Sequence, residues 1–387
     1  MKVGKAIYNI LAQSTDVQSN FPFNTTDYAP TGTELVTNGD FAGITELVTN
    51  GNFATDLDGW TQDLSRGSYT WDNDRAKITN NAASNYPNLS QNIVTIPGKT
   101  YKVTANIEIG TAPTVEVRVY SGGVLGSQQL TANGTIEFNF TAVGTNPLLL
   151  LYLWETGNTG NYCFFDNISV KELGEGWTLG TGWSIGDSKA ISTLQSGSQY
   201  LTQSSVVESG KSYKVTFEVI DYTSGSVKAT VSGDEGEART AIGTYTEYLN
   251  ATGTTFSIKN QSGAFIGSIS NVSAQEMILT KIFPELAPPD IDAPYIVYSV
   301  VSNSPSETKN ANGDIDTASI EVYGFQDTYN KAVDLGVSVR AALDRKTGTY
   351  NTIEIQSTNY VNEQMDVNEA RKLWAAIQDY SIRIKNI

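Results

Sequence analysis

The chain has 387 residues, a formal net charge of −16, no histidine and a single cysteine, Cys163. These features exclude histidine-based acid–base chemistry, the usual zinc ligand sets, Ser-His-Asp and Cys-His arrangements and an intrachain disulfide, and the acidity argues against a nucleic-acid surface. No apolar run approaches the roughly 18 residues that span a bilayer, so the composition predicts soluble globular modules and no membrane contact.

Residues 3–13, VGKAIYNILAQ, place Val3, Ala6, Ile7, Ile10 and Leu11 on one helical face, and Ser14, Thr15 and Asp16 are expected to end that helix. Residues 18–33 hold two prolines among Asn and Thr and read as a linker. TELVTNGDF at 33–41 then recurs as TELVTNGNF at 45–53, which we take as a tandem duplication adding an extra turn before the first β-module. From 45 to 277 short runs of β-branched and aromatic residues alternate with polar ones, separated by Gly, Asn and Ser, the pattern of a sandwich or jelly roll.

This β-rich region contains one module twice. GKTYKVT at 98–104 matches GKSYKVT at 210–216, Trp71 aligns with Trp183, and FDNISVKEL at 165–173 is answered by ISNVSAQEM at 269–277. The expected boundaries are 34–173 for the first module and 174–277 for the second. From 278 onward the pattern changes. Residues 293–345 predict a β-hairpin closed by the Asn-Gly turn of KNANGD, followed by a helix with Asp327 as N-cap. A strand over 351–364 and a long final strand over 371–385 complete the chain, with a helix for the first turn of the latter as the competing reading.

Joined together, 1–17 and 278–387 form helix, β-hairpin, helix and two strands. Three stretches, KIFPELAPPDIDAPYIVYSVVSNSP, IDTASIEVYGFQDTYNKAVDLGVSVRAALD and QDYSIRIK, together with the opening helix, resemble the tail-completion (tail-terminator) family of tailed bacteriophages. The expected fold is thus multidomain: an α+β tail-terminator-like domain interrupted by two tandem all-β jelly-roll sandwiches. The two β-modules in turn resemble galactose-binding-like carbohydrate-binding modules. The family resemblance implies a non-enzymatic virion protein of the tail or neck, assembled in the host cytoplasm. It further implies a homo-oligomeric ring, a hexamer, between tail tube protein and head connector proteins, through which DNA passes without specific binding. The competing reading is a carbohydrate-binding adhesin or decoration protein anchored by its C-terminal domain.

Saccharides are held by stacking on aromatic rings, helped by amide and carboxylate hydrogen bonds. In the first module Tyr152 and Trp154 share one strand face, and Tyr86 and Tyr162 are loop aromatics beside Asn and Gly, so these four are the candidate contacts for host-surface or mucus glycans. Trp60 and Trp71, repeated in both modules, are expected in the core, and the second module, poorer in loop aromatics, is expected as a spacer. The resemblance places a structural calcium near Asp166 with Asp40 or Asn52; no other cofactor is expected. Asp234, Glu235 and Glu237 read as a solvated turn, and Cys163 as a buried thiol.

Overall fold

A computed structural model of the protein describes residues 2–81, 86–154, 158–194, 199–306, 315–350 and 352–385. Helix α1 (Lys2–Gln13) buries Val3, Ala6, Ile7, Ile10 and Leu11, the stripe that its periodicity predicts. Ser14 does not simply end it. Its hydroxyl accepts the Val17 N–H at 3.4 Å and caps a second short helix, α2 (Thr15–Gln18). Both helices pack, with α3 (Tyr329–Leu343), against one face of a sheet ordered Ile282–Pro284, Tyr295–Ser306, Ile315–Gln326, Leu373–Lys385, Ile353–Asn368, Gly348–Tyr350. The core beneath joins α1 to Ile320, Val322, Leu335, Val339, Tyr380 and Ile382, so residues from both ends of the chain share it.

Three details differ from expectation. The N-cap of α3 is Thr328, whose hydroxyl faces the Lys331 N–H; Asp327 instead pairs with the Lys331 ammonium at 2.9 Å. The Asn-Gly turn at 309–314 lies outside the described residues. Residues 18–33 are no free tether: Phe21 and Tyr28 enter the core, and Tyr28–Pro30 pairs antiparallel with Met277–Leu279. Two aromatic anchors among polar neighbours outweigh the linker composition, because burying each ring contributes about 2 kcal/mol.

The repeated nonapeptide has a different role from the one its position suggests. Val36 and Phe41 of the first copy pack in the core that holds Trp177, Tyr213 and Phe256, whereas Val48 and Phe53 of the second pack with Trp60, Tyr101 and Ile168. Equivalent bonds hold each copy. Glu34 accepts the N–H groups of Leu35, Val36 and Ala274; Glu46 accepts those of Leu47, Val48 and Val170. Gln203 brackets Thr37 as Gln91 brackets Thr49, and the indoles of Trp177 and Trp60 donate to the carbonyls of Asn38 and Asn50. Each copy is therefore the opening segment of a different module. Residues 34–42 belong with 174–277, and the first module is threaded into the second between Ala42 and Gly174, where Gly43–Glu46 pairs with Lys171 and Leu173.

The other repeats have local causes. Tyr101 and Tyr213 are buried, and their hydroxyls accept the N–H of Ile96 and Glu208, five residues upstream. Lys99 and Lys211 then reach Glu172 and Glu276, each at 3.2 Å. The tryptophan alignment slips by two residues. Trp183 is buried at the place filled by Tyr69, while Trp71 is 43% exposed, its indole donating to the Phe53 carbonyl at 2.6 Å. Cys163 is fully buried, and desolvation pushes its thiol far above the usual range, so it is inert.

Gly39 and Gly51 test this nesting. A Cβ on Gly39 would overlap the carbonyl oxygen of Val272, and one on Gly51 that of Ile168. Each Gly→Ala change should cost about 2 kcal/mol as an overpacked contact. Hydrogen exchange read by mass spectrometry should rise across 183–277 for Gly39→Ala and across 61–173 for Gly51→Ala. If both variants loosened only the first module, the nested assignment would be wrong.

Candidate functional site

The Leu148–Leu153 strand alternates. Leu149, Leu151 and Leu153 enter the first module's core, which turns Leu150 and Tyr152 to the opposite face of a five-stranded sheet. Its register sets Tyr152 between Asn88 on one neighbour and Glu116 on the other, and Leu150 beside Arg118. The strand ends at Leu153, whose N–H donates to Pro87, and the Trp154 N–H donates to Thr114. Those two bonds bring the Tyr86 and Trp154 rings together, stacked at 4.3 Å with 24° between planes. Tyr152 meets the Trp154 ring at 88°, centroids 5.7 Å apart.

Arg118 lies over both rings, its guanidinium carbon 5.3 Å from the Tyr152 centroid and 4.9 Å from that of Trp154. Glu116, only 1% exposed, holds it there: Nε donates to one carboxylate oxygen at 2.9 Å and a terminal nitrogen to the other at 3.0 Å. The Gln129 amide donates to the same carboxylate at 3.0 Å. A desolvated carboxylate with three such donors is a fixed strut. Burial pushes the Tyr152 phenol above its usual range, with Arg118 pulling it partly back, so it stays protonated at neutral pH and can both donate and accept. The result is an aromatic corner with a guanidinium over two of its rings.

Three of the four predicted contacts thus meet: Tyr86, Tyr152 and Trp154. Tyr162 does not join them. It begins the Tyr162–Leu173 strand of the other sheet, where it meets Phe164 edge-on and carries the Lys77 ammonium 4.3 Å from its ring centre. Of the calcium candidates, Asp40 is separated from the other two by module. Asp40 lies in the segment that opens the second module, whereas Asn52 follows Gly51, whose carbonyl accepts the Ile168 N–H at 2.8 Å close to Asp166; both Asp166 oxygens accept bonds from Asn167. Among the described residues no group of three or more carboxylates, cysteines or histidines is placed to hold a metal. Arg118, Glu116 and Gln129 escaped the sequence reading. The alternation in VEVRVY does put Glu116 and Arg118 on one face, but only the register shows which face Tyr152 shares.

The second module differs at the same place. Its Ser212–Val231 and Phe256–Leu279 strands run unbroken where the first module interrupts each with a loop. Lys259 occupies the position of Tyr152, flanked by Tyr200 and Lys228 in place of Asn88 and Glu116. Glu235, expected in a solvated turn, bridges Lys228 and Lys259, and those two ammonium groups hold its carboxyl below the usual range.

Removing the Arg118 charge should strand a buried carboxylate. Arg118→Met is expected to destabilise the first module by about 3 kcal/mol, and Arg118→Met with Glu116→Met to recover most of that loss. Calorimetry of the full chain measures both; equal losses in the single and double variants would deny Glu116 the role of strut.

Residues 269–385 match the model of a family described as tail completion protein gp17. No curated protein matches the chain. Among solved structures, one described as "CBM4 structure and function" is 17% identical, with 32% of this chain and 99% of that one covered at a TM-score of 0.29. The CBM22-1–CBM22-2 tandem domain of Paenibacillus barcinonensis Xyn10C covers 65% of this chain and 99% of its own at 12% identity, TM-score 0.22. A chain of the native gene transfer agent (GTA) virion covers 28% here and 80% of itself at 12% identity, TM-score 0.22.

Proposed function

Taking the gp17 tail-completion match of the C-terminal residues as premise, we propose that the chain is a structural component of a tailed-phage virion. In this reading the domain built from both termini closes the tail as a ring, a hexamer by the family's habit, between tail tube and head connector. The two β-modules stand outside the ring, and the first offers a saccharide site. The observation that carries the virion reading is the match over 269–385. The glycan reading rests on the Tyr86–Trp154–Tyr152 corner and its Arg118–Glu116 strut.

The mechanism is assembly geometry, and the sequence suits it. The ring-forming segments 1–17 and 278–387 carry 12 basic and 16 acidic side chains, a net charge of −4 that disfavours DNA sticking in the passage. A weak saccharide contact repeated around a ring would gain from multivalency, since each later contact forms at high effective concentration.

Electron cryomicroscopy of the particle should locate the chain as a ring at the head–tail junction; a chain found only along the tail shaft would refute the neck assignment. A glycan array probed with the full chain should return hits that Tyr152→Ala or Trp154→Ala weakens about tenfold, the worth of one aromatic contact of about 1.4 kcal/mol. With no hit on any glycan, the modules would be structural only.

A further inference from the structure

In the sheet of the terminal-segment domain the long strands Tyr295–Ser306 and Ile353–Asn368 are each covered on the outer side for only part of their length. Ile282–Pro284 pairs with residues 296–298 of Tyr295–Ser306, and Glu285 donates to the Tyr298 carbonyl. On the far side Gly348–Tyr350 pairs with residues 353–355 of Ile353–Asn368, and the turn after α3 reaches Thr358 and Tyr360. Among the described residues no strand pairs with the outer side of 301–306 or of 361–368. Neither stretch contains Lys, the commonest guard of an exposed edge; Pro305 closes the end of one, and Glu363 and Asp366 stand on the other.

The two open stretches are complementary. Every pairing between them is antiparallel, through Ile315–Gln326 and Leu373–Lys385, so Tyr295–Ser306 and Ile353–Asn368 run in opposite directions. A second copy laid beside the first in the same orientation therefore meets it edge to edge in antiparallel sense. The Val367 N–H, turned away from the sheet, finds only the neighbouring Asp366 carboxylate at 2.8 Å. Each open stretch begins at a register shift whose extra residue is an exposed valine, Val301 at 59% and Val361 at 62%. Pro305 lacks an N–H, which leaves 301–304 as the usable part of that edge.

From this the geometry points to an intersubunit β-sheet: residues 361–368 of one copy add to residues 301–304 of the next. The occupant of each edge is a second copy of this chain. The open stretches lie at opposite ends of the sheet, because Ser306 is level with Lys385 and Glu354, whereas Asn368 is level with Leu373 and Gln326 lies beside Trp374. Neighbouring copies must then be displaced along the strands, and the short covering strands act as stops that set the register. In a closed ring such a displacement appears as the strand stagger and tilt that closure of a sheet requires. The contact is head-to-tail, which excludes a two-fold dimer and generates a ring when the rotation between copies closes.

The inference rests on the ring reading above, and native mass spectrometry of the full chain separates the two. The wild type should give a closed oligomer. Val367→Pro deletes an outward N–H without touching a bond inside the sheet, and Val361→Lys and Val301→Lys place a charge on either edge; each variant should be monomeric with unchanged circular dichroism. An equimolar mixture of Val301→Lys and Val361→Lys retains one good edge of each kind and should stop at a 1:1 dimer. Rings that persist in all three variants overturn the edge pairing and leave the ring standing. A monomeric wild type overturns both. Variants that still form rings but no longer join tails would give the edge to another virion protein and overturn the pairing between copies.

Discussion

Everything in this molecule depends on closure. A chain that leaves a folded domain must come back to the point of departure, and here it does so twice. At the outer neck Tyr28–Pro30 lies antiparallel to Met277–Leu279; at the inner one Gly43–Glu46 lies against Lys171 and Leu173. Each pairing fixes the ends of the segment between them, so the enclosed module imposes little strain on its host. Loop-closure entropy grows only with the logarithm of length, which is why some 250 residues can be enclosed at modest cost once the ends are pinned. The outer core is completed by residues from both ends, and that completion holds the outer neck shut.

Two copies of one sandwich show how a site arises from a scaffold. In the second module the long strands stay paired through a series of bulges within one nine-stranded sheet, and the corresponding face carries a Lys–Glu–Lys bridge. In the first, a loop interrupts each of them. The strand ends thereby freed supply Trp154, bring Tyr86 beside it and leave Tyr152 open over Arg118. The core positions hardly change between the two; the side chains on this outer face change wholly. The difference between the two faces is a property of interruptions in the strands.

Much of this was legible in the residues. The helical stripe of α1, the period-two runs and the duplicated GK[TS]YKVT each report local chemistry that survives folding: a buried face, a pleat, a tyrosine hydroxyl turned back on its own loop. The tail-completion resemblance is matched over 269–385, which leaves the opening helix outside the match. What stayed hidden was partnership between distant segments. The copy at 33–41 stands next to the first module in sequence, yet its Glu34 serves Ala274, some 240 residues away. Tyr162 looks like a neighbour of Trp154 because seven residues separate them, but those residues carry the chain from one sheet to the other. Arg118 and Glu116 look like ordinary charges in a strand until the register sets them beside Tyr152.

The doubled necks also decide how the molecule carries load. A domain placed at the end of a chain is pulled through a single strand, and force on it peels the fold from one terminus. Here a pull on the first module's surface is shared by two paired strands at each neck, and no enclosed module is stretched from end to end. Tension would pass through the outer body before it could unravel what the modules grip.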